Sequence, residues 1–136
     1  MTAAAPDRIP IVNYLALDDG DPHLVAQACA ACGALYFDRR NACARCGRTE
    51  FTDQALETTG TVRAFTIVQR AAPNVPVPYV SAVVALDGGG VVKANLKEID
   101  ASPDRVALGM RVALTTFVAG TDANGTDAVA FGFAPA

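Results

Sequence analysis

The chain has 136 residues and a mass of 14.0 kDa, and its composition of 51% hydrophobic and 18% charged residues is too apolar for intrinsic disorder. Eleven Lys and Arg against fourteen Asp and Glu leave a formal net charge of -3 and a pI near 4.9, which disfavours a polyanion as the main partner because phosphate binding needs clustered cations. The longest apolar stretches run only a few residues, short of the roughly 20 that a membrane-spanning helix needs, so no membrane contact is expected.

Residues 1–10 lack the positive start and apolar middle of a secretory signal and read as a disordered leader. The expected location is the cytoplasm. Residues 11–17 are apolar at Ile11, Val12, Tyr14, Leu15 and Leu17, a pattern that fits a short helix or an extended arm equally well. Residues 1–23 are therefore taken as an N-terminal arm or short helix.

All four cysteines fall in one stretch, as Cys29-Ala30-Ala31-Cys32 and, ten residues later, Cys43-Ala44-Arg45-Cys46. Each pair is followed by glycine, Gly33 and Gly47, which can take the left-handed backbone that turns amides back toward the sulfurs. This is the zinc-ribbon knuckle, twice. Two disulfides or four buried thiols would be the plain alternative, but a cytoplasmic setting and two C-x-x-C pairs favour thiolate coordination of a metal. One structural zinc is expected on Cys29, Cys32, Cys43 and Cys46. A catalytic zinc keeps an open position, whereas four cysteines fill this set and the single histidine, His23, lies outside it. Four thiolates and one divalent cation leave a local charge of -2, which Arg39, Arg40, Arg45 and Arg48 are placed to offset. The ribbon, taken as residues 24–54, is too short to bury a core of its own, so the metal must contribute to its stability. Residues 24–27 read as a strand entering the first knuckle and 35–37 as the strand leaving it.

From residue 55 the pattern changes to short strands punctuated by Gly, Asp, Asn and Pro. Five strands are predicted, at 61–69, 79–86, 91–97, 110–118 and 128–133. The run Asp87-Gly88-Gly89-Gly90 joins the second to the third as a hairpin. The third strand alternates Val92, Ala94 and Leu96 with Lys93, Asn95 and Lys97, which gives it one face toward water or a ligand. Ser102-Pro103-Asp104-Arg105, closed by Leu108-Gly109, predicts a single turn of helix between the third and fourth strands. This order within residues 55–136 fits a five-stranded OB barrel. The fold class is mostly β, a zinc ribbon followed by the barrel.

The two knuckles, the barrel opening Gly60-Thr61-Val62-Arg63-Ala64-Phe65-Thr66, Pro78-Tyr79-Val80, and Leu108-Gly109-Met110-Arg111-Val112 resemble, in their order and spacing, a known family. It is the family of small rubredoxin-like zinc-ribbon, OB-fold proteins that associate with thiolases and acyl-CoA metabolism. That family carries Phe-Pro-Pro-Arg between its knuckles, where this chain has Phe37-Asp38-Arg39-Arg40. The resemblance implies a non-catalytic accessory subunit of a thiolase-superfamily enzyme acting on an acyl-CoA, with the chemistry on the partner. The residues agree independently. A Claisen-type step needs a free nucleophilic cysteine with histidines to activate it, and here the cysteines are assigned to metal and only His23 remains.

Candidates for contact with the partner or a CoA thioester are Arg39 and Arg40 between the knuckles, Pro78 and Tyr79 in the proline-rich loop 71–79, and Lys93 and Asn95 on the polar strand face. The plain alternatives are an ordinary barrel connection and a solvated strand. A second reading, a module for single-stranded nucleic acid, has the knuckle arginines in its favour. Against it stand the acidic balance and the few aromatic platforms, Phe65 and Tyr79, on the barrel. A third, an independent acyl-CoA enzyme, would have to use carboxylates or backbone donors in a manner no motif displays.

Overall fold

A computed structural model of the chain describes residues 8–17 and 21–136. Among the described residues every element is a strand, and no helix is long and apolar enough to cross a membrane. The N-terminal strands are β1 (Arg8–Pro10), β2 (Leu15–Ala16), β3 (His23–Cys29), β4 (Leu35–Tyr36) and β5 (Phe51–Ala55). They are followed by β6 (Thr59–Val68), β7 (Tyr79–Leu86), β8 (Val91–Leu96), β9 (Arg111–Thr121) and β10 (Asp127–Pro135).

Strands β6 to β10 close into the five-stranded barrel that the strand order predicts. β7 runs antiparallel between β6 and β8, β9 runs antiparallel to both β10 and β6, and β8 meets β10 in parallel where Leu96 faces Phe133. Alternation along each strand decides what faces inward. On β7 it buries Val80, Ala82, Val84 and Leu86, and on β8 it buries Val92 and Leu96 while Lys93 and Asn95 stay exposed. Phe133 sits fully buried at the β8–β10 seam with Val62, Val112 and Val129 in the same cluster. The seam closes because residue 132 is glycine. A Cβ there would stand 2.7 Å from the Asn95 carbonyl oxygen, closer than any real packing permits.

The remaining strands form a small sheet centred on β3, which pairs antiparallel with β2, β4 and β5. It is not an independent bead on the barrel. Leu15, Leu24 and Ala26 belong to the same buried cluster as Val62 and Phe133. Tyr14 stacks 4.8 Å from Phe37 and 6.0 Å from Phe131, so one ring ties the arm to both the ribbon and the barrel. The hairpin at Gly88, Gly89 and Gly90 has φ values of 78°, 127° and 98°, all in the region that glycine alone adopts freely. This tight turn lies against Leu35 and Leu56.

Two expectations are corrected and one open alternative is decided. The leader expected over residues 1–10 is ordered at its end, because Arg8–Pro10 form β1, parallel to β10 at Asp127, Ala128 and Val129; its residues 1–7 lie outside the described residues. The stretch 11–17 is an arm with a turn, where the Leu15 amide donates to the Val12 carbonyl, and then the short β2. The helical turn expected after Ser102 is only an isolated hydrogen-bonded turn. The Ser102 carbonyl accepts from the Arg105 and Val106 amides and its hydroxyl accepts from the Asp104 amide, too few bonds to offset the cost of nucleating a helix.

Candidate functional site

The two knuckles are built alike. In the first, the Gly33 amide donates to the Cys29 carbonyl at 2.9 Å; in the second, the Gly47 amide donates to the Cys43 carbonyl at 2.8 Å. Both glycines have φ of 79° and open space where a Cβ would be, so the requirement at these positions is conformational and not steric. β3 delivers Cys29 at its end, and the register of β3 with β5 brings Phe51 opposite it. The four sulfurs of Cys29, Cys32, Cys43 and Cys46 lie within 4.8 Å of one another. Cys29 and Cys46 are 3.5 Å apart and Cys32 and Cys43 are 3.6 Å apart. A tetrahedron of ~2.3 Å zinc–sulfur bonds has edges of about 3.8 Å, so this donor set fits one tetrahedral ion.

The electrostatics call for a cation. The Tyr36 hydroxyl and the amides of Cys46 and Arg45 hold the Cys43 thiol down to about 6, and the Cys32 amide lowers that of Cys29. The Arg48 amide also pulls on Cys46, but partial desolvation and the neighbouring sulfurs outweigh it and push that thiol up to about 11. Sulfurs this close cannot all be thiolates unless a positive ion shares their charge.

Tyr36 is the functional residue that sequence reasoning missed. Its hydroxyl lies 3.5 Å from Cys43 Sγ and accepts from the Ala44 amide at 3.1 Å. The Arg40 guanidinium sits 4.3 Å above its ring, so Arg40 reaches the centre through Tyr36. Arg39 is turned to the Asn41 side chain at 2.9 Å and lines a cavity with Tyr14 and Asp53. Arg45 and Arg48 stay exposed on the second knuckle, and Arg45 contributes its amide to Cys43 Sγ at 3.4 Å.

Of the predicted contact residues, Pro78, Tyr79 and Asn95 come together. They line one cavity of about 440 Å³ between the proline-rich loop and the β8–β9 connection. Lys93 is exposed on the same face of β8 but does not line that cavity, and Arg39 and Arg40 belong to the ribbon. The cavity also takes in Lys97, Glu98, Ile99 and Asp100, which no local pattern singles out because they meet residues 75–80 only once β7 pairs with β8 and sets Val80 opposite Leu96.

Comparison with known proteins places both halves. Residues 20–52 match the ChsH2 rubredoxin-like zinc ribbon domain and residues 53–117 match the ChsH2 C-terminal OB-fold domain. A DUF35 domain-containing scaffold protein of Methanocaldococcus jannaschii is 33% identical over 92 residues, covering 65% of this chain and 64% of that protein. The chain thus spans just under two thirds of that curated relative's length. A solved structure named Ltp2-ChsH2(DUF35) aldolase is similar at 31% identity and a TM-score of 0.66, over 83% of this chain and 84% of that one. The chain belongs to the ChsH2 family of DUF35 proteins, a rubredoxin-like zinc ribbon joined to an OB fold.

Proposed function

We propose that the chain is an accessory subunit of a thiolase-superfamily enzyme that makes or breaks carbon–carbon bonds in an acyl-CoA, and that it supplies assembly while its partner supplies the chemistry. The observation that carries this reading is the convergence of all four cysteines on one cluster, which removes the residue type that thiolytic or Claisen chemistry uses as nucleophile. The names of its relatives, a scaffold protein and an aldolase that includes ChsH2, support the same role. Cys29, Cys32, Cys43 and Cys46 would hold one zinc ion, which when bound neutralises the thiolates and fixes the ribbon. Residues 24–54 act as the metal-held ribbon and residues 55–136 as the barrel, and the complex works in the cytoplasm.

The test is enzymatic. A thiolase-superfamily enzyme from the same organism is assayed for acyl-CoA turnover alone and with this chain added, and this chain is assayed by itself. The expected outcome is turnover by the enzyme that rises when this chain is present and none by this chain alone. Turnover by the isolated chain, free of any thiolase, contradicts the reading.

A further inference from the structure

The cavity beside Pro78, Tyr79 and Asn95 has one apolar wall and one acidic wall. The apolar wall is Val75, Pro76 and Pro78, and Val75 and its neighbour Val77 stand 42% and 43% exposed, unusual for valines without a covering partner. On the other wall, Glu98 and Asp100 flank Ile99. Neither carboxylate has a cation within ion-pair distance, for among the described residues the single ion pair is Arg111 with Asp87. Lys97 is the one cation that lines the cavity. Its ammonium lies 4.0 Å from the Phe117 ring centroid and its stem crosses Gly132, so it is engaged with the sheet. Glu98 also holds φ at 58°, the one non-glycine residue in the left-handed region among those described, and strain of this kind concentrates at sites of binding.

We propose that this cavity docks an extended segment of the partner enzyme, one that sets an apolar side chain against Val75 and Pro78 and a lysine or arginine beside Glu98 and Asp100. The charge pattern selects that occupant. The cavity's formal charge is negative, one lysine against two carboxylates, so the phosphates of a CoA would be repelled where a basic segment is attracted. The apolar wall then supplies the contact area and the carboxylates the register. This proposal rests on the accessory-subunit reading and assigns the Pro78, Tyr79 and Asn95 surface to the protein partner and not to the CoA tail.

The test uses the full chain and a thiolase-superfamily enzyme from the same organism. Hydrogen–deuterium exchange of the wild-type chain is compared with and without the enzyme, and with CoA alone. Binding is also measured for a Glu98→Lys, Asp100→Lys double variant whose melting curve matches the wild type. The proposal expects protection of residues 71–80 and 95–101 by the enzyme and none by CoA alone, with binding of the double variant weakened about tenfold and the wild-type affinity falling with added salt. A complex that leaves these residues unprotected, or protection by CoA alone, overturns this proposal and leaves the accessory-subunit reading standing. Absence of any complex overturns both.

Discussion

At the scale of single residues, the metal centre depends on groups other than its cysteines. The Tyr36 hydroxyl lies against Cys43 Sγ and is itself held by the Ala44 amide, so it orients one sulfur and lowers its proton affinity. Outer groups of this kind typically tune metal affinity by about 10–100-fold. Replacing Tyr36 by Phe is therefore expected to weaken zinc binding about tenfold in chelator competition while the melting curve of the zinc-loaded chain changes little; unchanged competition would show that the hydroxyl contributes nothing. Nothing in the sequence marked this role, because an aromatic in a short strand reads as packing and its hydroxyl finds Cys43 only once the second knuckle folds. Gly132 was equally silent. Gly132→Ala places a methyl group against the Asn95 carbonyl at the barrel seam and is expected to cost about 1–3 kcal/mol in thermal or denaturant unfolding, the range for overpacking.

At the scale of elements, legibility followed locality. The four cysteines and the five barrel strands are written in spacing and alternation within short windows, and both appear where expected. β5 was missed because Phe51-Thr52-Asp53-Gln54-Ala55 is almost wholly exposed and becomes a strand only by pairing with β3. β1 was missed for the same reason at longer range, since its partner β10 lies more than a hundred residues away. The barrel's mouth carries another long-range device. Asp87, just after β7, accepts two hydrogen bonds from the Arg111 guanidinium at the start of β9, at 2.9 and 2.6 Å, and one from the Thr59 hydroxyl at the start of β6. Arg111 and then Thr59 hold the Asp87 carboxyl well below the usual carboxylate range. A depressed carboxylate contributes stability that is present above its unfolded pKa of about 4 and is lost as pH falls below it. The side chains are half exposed, so the effect is modest. Asp87→Asn is expected to lower the melting temperature at pH 7, with the gap to wild type narrowing as pH falls below about 4; a gap that does not change with pH would refute the ion pair's part in it.

At the scale of the whole molecule, the ribbon and the barrel share one interior. Leu24 and Ala26 from β3 pack in the same buried cluster as Val62, Val84 and Phe133, and Tyr14 bridges Phe37 and Phe131. Stripping zinc with a chelator is expected to lower the unfolding temperature of the entire chain in one transition, because loss of the knuckles exposes core that the barrel also uses; two separate transitions would mean the units are independent. That continuity suits the proposed role of holding another protein in a fixed place. The most direct test of that role is native mass spectrometry of this chain co-expressed with a thiolase-superfamily enzyme from the same organism. The account predicts a complex containing the enzyme and this chain with one zinc ion bound per copy, and a chain that travels alone, or with no zinc, would contradict it.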